Sequence, residues 1–257
     1  MIKAIFLDFD GTTFSHTSHS IPASTIEGLK KLKEKGILTF LATGRSKLEM
    51  TWFDIDELLA NLTGSVLNNG QLAIDPNNNV IYDEPIEDPL KSELIRIFNE
   101  KKIPLYLITY DDIFINFVND NVRITQELVS SPIPDVKEYC GQQIYMASAF
   151  FKDDIQKEEI YRLPANITCW QEGALDIVAD GSCKSKGIDE VLKVYGIDIS
   201  ETMAFGDGEN DIDMLNHCGI GVAMGNSKKV VKDIADYVTD DIDNDGIYNA
   251  LVHFNLI

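Results

Sequence analysis

Short apolar runs alternate with amphipathic stretches through the first third of the chain. Lys3–Leu7 is apolar at every position after Lys3, which predicts a strand buried on both faces. Ser24 opens a predicted helix. Ser24-Thr25-Ile26-Glu27 has the form of a capping box, Ile26, Leu29 and Leu32 share a face, and Gly36 closes it. Ile37–Ala42 reads as a second buried strand. Lys47–Leu59 is expected to be helical, with Trp52 and Phe53 among its inward residues. Ser65–Leu67 predicts a third strand, and Leu72–Ile74 with Val80–Tyr82 flanks an Asn-rich turn as a hairpin. The alternation returns at the far end. Thr202–Phe205 and Ile220–Ala223 are expected strands; Asp211–His217 and Ser227–Ala235 are expected helices, the latter capped by Ser227. Strand–helix–strand order with short links implies a parallel sheet covered by helices on both faces.

The middle of the chain follows another rhythm. Asp88-Pro89 starts a predicted helix with Asp as cap and Pro in the first turn. Leu105–Thr109 and Ile113–Val118 flank Tyr110-Asp111-Asp112, a hairpin signal. Gln143–Phe150, Ile167–Gln171 and Leu175–Ala179 are further expected strands. Strands joined by tight turns point to an antiparallel α+β module. The expected organisation is a core from residues 1–83 and 183–257, with an inserted domain over residues 84–182. Its fold class is α/β: a doubly wound, mostly parallel, Rossmann-like core sheet carrying an inserted α+β cap domain.

Composition narrows the function classes. The 257 residues are 44% hydrophobic and 25% charged, ordinary for a globular protein. No apolar run reaches membrane-spanning length, and Ile2–Leu7 lacks the form of a signal peptide, so a cytoplasmic protein is expected. The formal net charge of −20 repels nucleic acid and anionic lipid, and neither is an expected partner. It also repels phosphate esters, so a phosphate-handling site needs a local cation. Cys140, Cys169, Cys183 and Cys218 form no CxxC pair and read as reduced, mostly buried thiols.

The sharpest chemical signal is Asp8-Phe9-Asp10-Gly11-Thr12. It places two carboxylates directly after a buried strand, at the sheet edge where α/β proteins bind ligands. Thr43-Gly44-Arg45 follows the second strand and offers a hydroxyl and a flexible amide for a phosphoryl oxygen. Gly206-Asp207-Gly208-Glu209-Asn210-Asp211 follows the Thr202–Phe205 strand. Its three carboxylates and one amide repel one another without a cation, and their spacing suits oxygen ligation of Mg²⁺. Lys186-Gly187 opens a predicted helix where the chain returns from the insertion, and a lysine is a good point-charge partner for phosphate.

In order and spacing these four segments resemble the motifs of the haloacid dehalogenase-like (HAD) hydrolase superfamily. The long insertion between the second and third resembles a type IIB (C2) cap, and the Gly-Asp-Gly-x-Asn-Asp form is similar to the Cof-type sugar-phosphate phosphatases. The resemblance implies a Mg²⁺-dependent phosphatase acting on small phosphorylated metabolites. It implies Asp8 as nucleophile and Asp10 as general acid and base, Asp10 holding a proton when substrate arrives. It implies Mg²⁺ bound by Asp8, the Asp10 carbonyl and Asp207, supported by Asp211. Phe9, Thr43, Gly44, Lys186 and Asn210 would hold the phosphoryl oxygens, with Lys184 the weaker candidate for the lysine. A cap closing over the site on hinges near Asp83–Pro85 and Asp180–Lys184 would choose the leaving group.

Two readings on the same residues stay open: a phosphomutase or phosphotransferase, and a non-catalytic cation-binding module. Oligomeric state is open between monomer and weak dimer. Asp241-Ile242-Asp243-Asn244-Asp245-Gly246 begins like a calcium loop but has Val252 where a bidentate Glu is required. His16 and His19 are expected in a mobile solvent loop.

Overall fold

The computed structural model describes residues 1–128 and 131–257. The chain runs through β1 (Ala4–Leu7), α1 (Ala23–Glu34), β2 (Leu38–Ala42), α2 (Lys47–Met50), α3 (Asp56–Leu59), β3 (Gly64–Leu67), β4 (Leu72–Ile74) and β5 (Val80–Asp83). It continues through α4 (Leu90–Glu100), β6 (Leu105–Ile108), β7 (Ile113–Ile115), α5 (Asp120–Leu128), β8 (Met146–Phe150), α6 (Asp154–Tyr161), β9 (Ala165–Gln171) and β10 (Ala174–Ala179). It ends with α7 (Lys184–Tyr195), β11 (Thr202–Gly206), α8 (Ile212–His217), β12 (Ile220–Ala223), α9 (Lys229–Lys232), β13 (Tyr237–Val238) and α10 (Gly246–His253). Two compact units result. One comprises Met1–Arg45, Glu49–Asp83 and Cys183–Ile257; the other comprises Ser46–Leu48 and Glu84–Ser182.

The first unit is built on an eight-stranded sheet in the order β13-β12-β11-β1-β2-β3-β4-β5. The six strands from β13 to β3 are parallel, and β4 and β5 add an antiparallel hairpin at the edge. Burial explains the centre. All four residues of β1 are buried, and Phe6 is in register with Phe40 of β2, their rings stacked at 5.2 Å. Ile188, Val191 and Leu192 of α7 pack into the same cluster as Phe6, Phe40 and Val66. Because β1, β2, β3 and β11 run parallel, the loops that follow them emerge along one sheet edge.

The second unit holds a five-stranded sheet, β7-β6-β8-β10-β9, antiparallel at every pairing. Its strands alternate as a one-face core requires. Leu105, Leu107, Ala147, Ala149, Leu175 and Ile177 face Leu94, Ile97 and Phe98 of α4 and Ile160 of α6.

Several local expectations are corrected. Helix α1 starts at Ala23 behind Pro22, whose φ of −55° is already helical; the Ser24 hydroxyl donates instead to Asp245. The predicted helix over Lys47–Leu59 is two short ones. Between them Phe53 turns onto Phe9 and Phe14, with ring centroids 5.1 and 4.9 Å away, and that packing outweighs helical continuity. Helix α9 is a single turn, and the Ser227 hydroxyl points to the Gly206 carbonyl rather than capping it. Cys140 and Cys169 are exposed; all four thiols are free. Among the described residues, no helix is long and apolar enough to cross a membrane.

Candidate active site

Asp8 continues the β1 ladder by one residue, its amide donating to the Phe205 carbonyl at 2.9 Å. Beyond it the chain folds back sharply. The amides of Thr13 and Phe14 both donate to the Phe9 carbonyl, and the Thr13 hydroxyl donates to the Asp8 carbonyl at 2.6 Å. Gly11 makes this turn possible. Its φ is +78°, and a Cβ there would collide with the Asp207 carboxylate. Thr12 donates to Asp207 Oδ1 at 2.7 Å, so the first and last motifs touch through this turn.

Lys184, at the start of α7, is the hub. It is 1% exposed, and its Nζ lies 2.6 Å from both Asp8 Oδ1 and Asp211 Oδ1. Asp211 Oδ2 in turn accepts the amides of Asp207 and Gly208, at 2.9 and 2.8 Å, which folds the loop after β11 around its own carboxylate. Oxygens of Asp8, Asp207 and Asp211 all lie within 4.8 Å of one another.

The lysine beside Asp8 is therefore Lys184, not the expected Lys186. Residues two apart on a helix point to nearly opposite sides, so only one can face the carboxylates. The Lys186 amide donates to the Cys183 carbonyl in the first turn of α7, and its side chain is half-buried. Thr43 and Gly44 follow β2 at the same edge; Thr43 is buried and its Oγ1 accepts the Arg45 amide at 3.1 Å. Asn210 is exposed, its carboxamide folded against Gly208.

Asp10 brings in two side chains that had no expected role beside it, Arg45 from the second motif and His16 from outside the motifs. Arg45 grips it with a two-pronged fork, Nε to Oδ2 and Nη2 to Oδ1, both at 2.7 Å. His16 Nε2 lies 3.0 Å from Asp10 Oδ1. Arg45 stacks over Phe53 at 4.5 Å, and His16 meets the Phe14 ring edge-on at 5.6 Å. The loop is solvent-exposed at both His16 and His19, as expected, yet His16 touches the site from it. A signal for it existed: Phe14, two residues before, continues the apolar run that the Asp-Gly turn interrupts.

Charge sets the protonation of the cluster. Burial raises the Asp8 carboxyl well above its ordinary value; Asp211 adds to this, and Lys184 only partly opposes it. Burial likewise raises Asp207, to about 6, against the hydrogen bond from Thr12. Lys184 goes the other way: burial would lower it, but Asp211 and Asp8 outweigh that and raise it. Burial would raise Asp10 too, yet the hydrogen bonds from His16 and Arg45 bring it down to about 2. Asp10 thus favours its charged form, against the expected proton, because a guanidinium fork and an imidazole hold the carboxylate.

These observations fit a divalent cation. Three carboxylates crowd around one ammonium, and burial together with their mutual repulsion raises two of them above the ordinary carboxylate range, a charge balance that a cation would relieve. All three are hard oxygen donors.

The model of the haloacid dehalogenase-like hydrolase family matches residues 5–251. The chain is 32% identical over 261 residues to YkrA of Bacillus subtilis (strain 168), covering 99% of this chain and 98% of that protein. It is 26% identical over 259 residues to the 5-amino-6-(5-phospho-D-ribitylamino)uracil phosphatase YcsE of the same strain, covering 99% and 96%. In three dimensions it matches the solved structure of the HAD subclass IIB sugar phosphatase BT4131 with a TM-score of 0.87 and 35% identity, over 99% and 100% of the two chains.

Proposed function

Because the chain belongs to the haloacid dehalogenase-like hydrolases, as a phosphoric monoester hydrolase, we propose that it hydrolyses small phosphorylated metabolites, sugar phosphates foremost, through an aspartyl-phosphate on Asp8. The observation that carries this reading is the buried Lys184 ammonium bridging Asp8 and Asp211, with Asp207 in the same cluster. Substrate class rests on the subclass IIB sugar phosphatase and on YcsE, whose named substrate also carries a phosphorylated sugar-alcohol chain.

In this mechanism an Asp8 carboxylate oxygen attacks phosphorus, and the bond from phosphorus to the ester oxygen breaks. Asp10 delivers a proton to the departing oxygen. It then takes a proton from water, which attacks the phosphorus and releases Asp8 and inorganic phosphate. Asp10 cannot donate while Arg45 and His16 hold it ionised, so substrate entry has to loosen that grip. Lys184, the Thr43 hydroxyl and the amides of Gly44 and Phe9 are assigned to the phosphoryl oxygens, Lys184 replacing Lys186 in that set; Asn210 joins them only if its exposed carboxamide turns inward. Leaving-group selection is assigned to residues 84–182.

Asp8 and Asp207 are the side chains that would hold Mg²⁺, with the Asp10 carbonyl. Asp211, in the same cluster and bonded to Lys184 and to the amides of Asp207 and Gly208, would support them. When bound, the ion supplies the positive charge that lets an anionic carboxylate approach an anionic ester.

The test is phosphate release from a panel of sugar phosphates, with and without Mg²⁺ and with no added acceptor. Release that requires Mg²⁺, and disappears in Asp8→Asn, is expected. Acid quenching with a ³²P-labelled ester should leave label on the wild-type protein and none on Asp8→Asn. Turnover by Asp8→Asn, or Mg²⁺-independent turnover by the wild type, would sink the proposal. Asp10→Asn should keep phosphate affinity while kcat falls by orders of magnitude, roughly the 10²–10⁴-fold worth of a general acid.

A further inference from the structure

The turn after β3 is an odd one. Asn68 and Asn69 both have φ of +52° and Gly70 has +100°, three successive residues on the left-handed side. Asn68 and Asn69 are nevertheless buried, at 1% and 8% exposure. The Asn68 carboxamide oxygen is buried with no hydrogen-bond partner. A turn that merely joins two strands has no need of left-handed asparagines, and an orphaned buried oxygen is costly.

Its neighbours explain what the turn does. On one side it fastens the loop after β2. The Asn68 amide donates to the Arg45 carbonyl and the Asn69 amide to the Thr43 carbonyl, both at 3.1 Å. The Asn69 carboxamide lies flat against Gly44; a Cβ built there would be 3.1 Å from Asn69 Oδ1. On the other side the turn seats the first turn of α7. A Cβ on Gly70 would collide with the Cys183 carbonyl, and one on Gly187 would lie 2.8 Å from Gly70 Cα. Cys183 immediately precedes Lys184.

We infer that the Asn68–Asn69–Gly70 turn is a positioning bracket. It sets the Thr43–Gly44 loop and the Lys184 ammonium at a fixed spacing, with Asn69 as the positioning residue that acts through Gly44. The inference rests on the assignment of Thr43, Gly44 and Lys184 to the phosphoryl oxygens. Two groups that bind one phosphate from separate loops lose most of their joint effect if their spacing relaxes. None of the bracket residues needs to touch the substrate.

Asn69→Gly isolates the side chain, because glycine adopts the left-handed backbone without strain. The readouts are the inhibition constant of inorganic phosphate, the split between KM and kcat, and the unfolding midpoint. Expected for Asn69→Gly is a roughly tenfold rise in the phosphate inhibition constant and in KM, a smaller change in kcat, and a folded protein. Thr43→Ala should raise the same constant. The double variant should be no worse than the worse single one, because both changes disable the same loop. An unchanged inhibition constant in Asn69→Gly, with or without lost stability, overturns the bracket, as does a double variant in which the two effects multiply. If Thr43→Ala itself leaves phosphate inhibition unchanged, the assignment of the loop to phosphate falls, and the bracket falls with it. Should Asn69→Gly fail to fold, Asn69→Asp keeps the shape and tolerates the backbone; an unchanged constant there overturns the inference equally.

Discussion

Lys184 sits where no ammonium would rest without partners. Its 1% exposure removes it from water, and only Asp8 and Asp211 at 2.6 Å make that tolerable. Removing it leaves two buried carboxylates facing each other. Lys184→Met should therefore cost about 3–5 kcal/mol of stability in a chelating buffer, read by urea unfolding, and should abolish turnover. Lys186→Met should leave both stability and turnover nearly unchanged. The opposite ranking would restore Lys186 to the site. The choice between the two turns on helix phase, which depends on where α7 begins. Cys183, the residue before the helix, has an extended backbone, and nothing in the local sequence places that boundary to within one residue. The asymmetry at Asp10 has the same character. Its neighbour in sequence is Asp8, but its neighbours in space are Arg45 and His16, and they reverse the protonation expected from the pair of acids.

At the scale of elements, five of the six parallel strands and the hairpin were legible because each is a short apolar run ended by a turn residue; β13, only Tyr237–Val238, is too short to show a pattern. The first and last motifs could be paired because each follows such a run. Elements governed by contacts across the chain were not legible. The break between α2 and α3 is set by Phe53 packing on Phe9 and Phe14. Asn116, unremarkable in sequence, is another case. Buried after β7, it donates to the carbonyls of Phe98 and Ile103 and accepts the amides of Leu105 and Phe117, all at 2.9–3.0 Å. It thereby joins the end of α4 to β6. Asn116→Ala removes the partner of four backbone groups, three of them in buried bonds and each of those worth about 1–3 kcal/mol when unsatisfied. A loss of at least ~3 kcal/mol is expected by urea unfolding, whereas Ser24→Ala, which removes a surface bond and no cap, should stay within ~0.5 kcal/mol. A loss at Ser24 as large as at Asn116 would contradict both assignments.

At the scale of the whole molecule, the cation and the proton compete for one site. Asp207 has its carboxyl raised from 3.8 to about 6, so between those values the folded chain holds a proton that the unfolded chain has released. The sign follows: stability falls as pH rises from about 4 to about 6, then levels off. Other carboxylates pull the opposite way, so the contribution is read as the difference between wild type and Asp207→Asn, a neutral near-isostere. In chelator, the wild type should lose unfolding midpoint relative to Asp207→Asn across that interval. A saturating divalent ion bound only by the folded state adds stability, about 2.7 kcal/mol at a hundredfold excess over Kd. That gain requires ionised carboxylates. Mg²⁺ should therefore raise the wild-type midpoint by several degrees at pH 7.5 and barely at pH 4.5, and should have little effect on Asp207→Asn at either. An equal Mg²⁺ effect at both pH values, or an undiminished one in Asp207→Asn, would place the ion elsewhere on a surface whose net charge of −20 offers it many weaker sites.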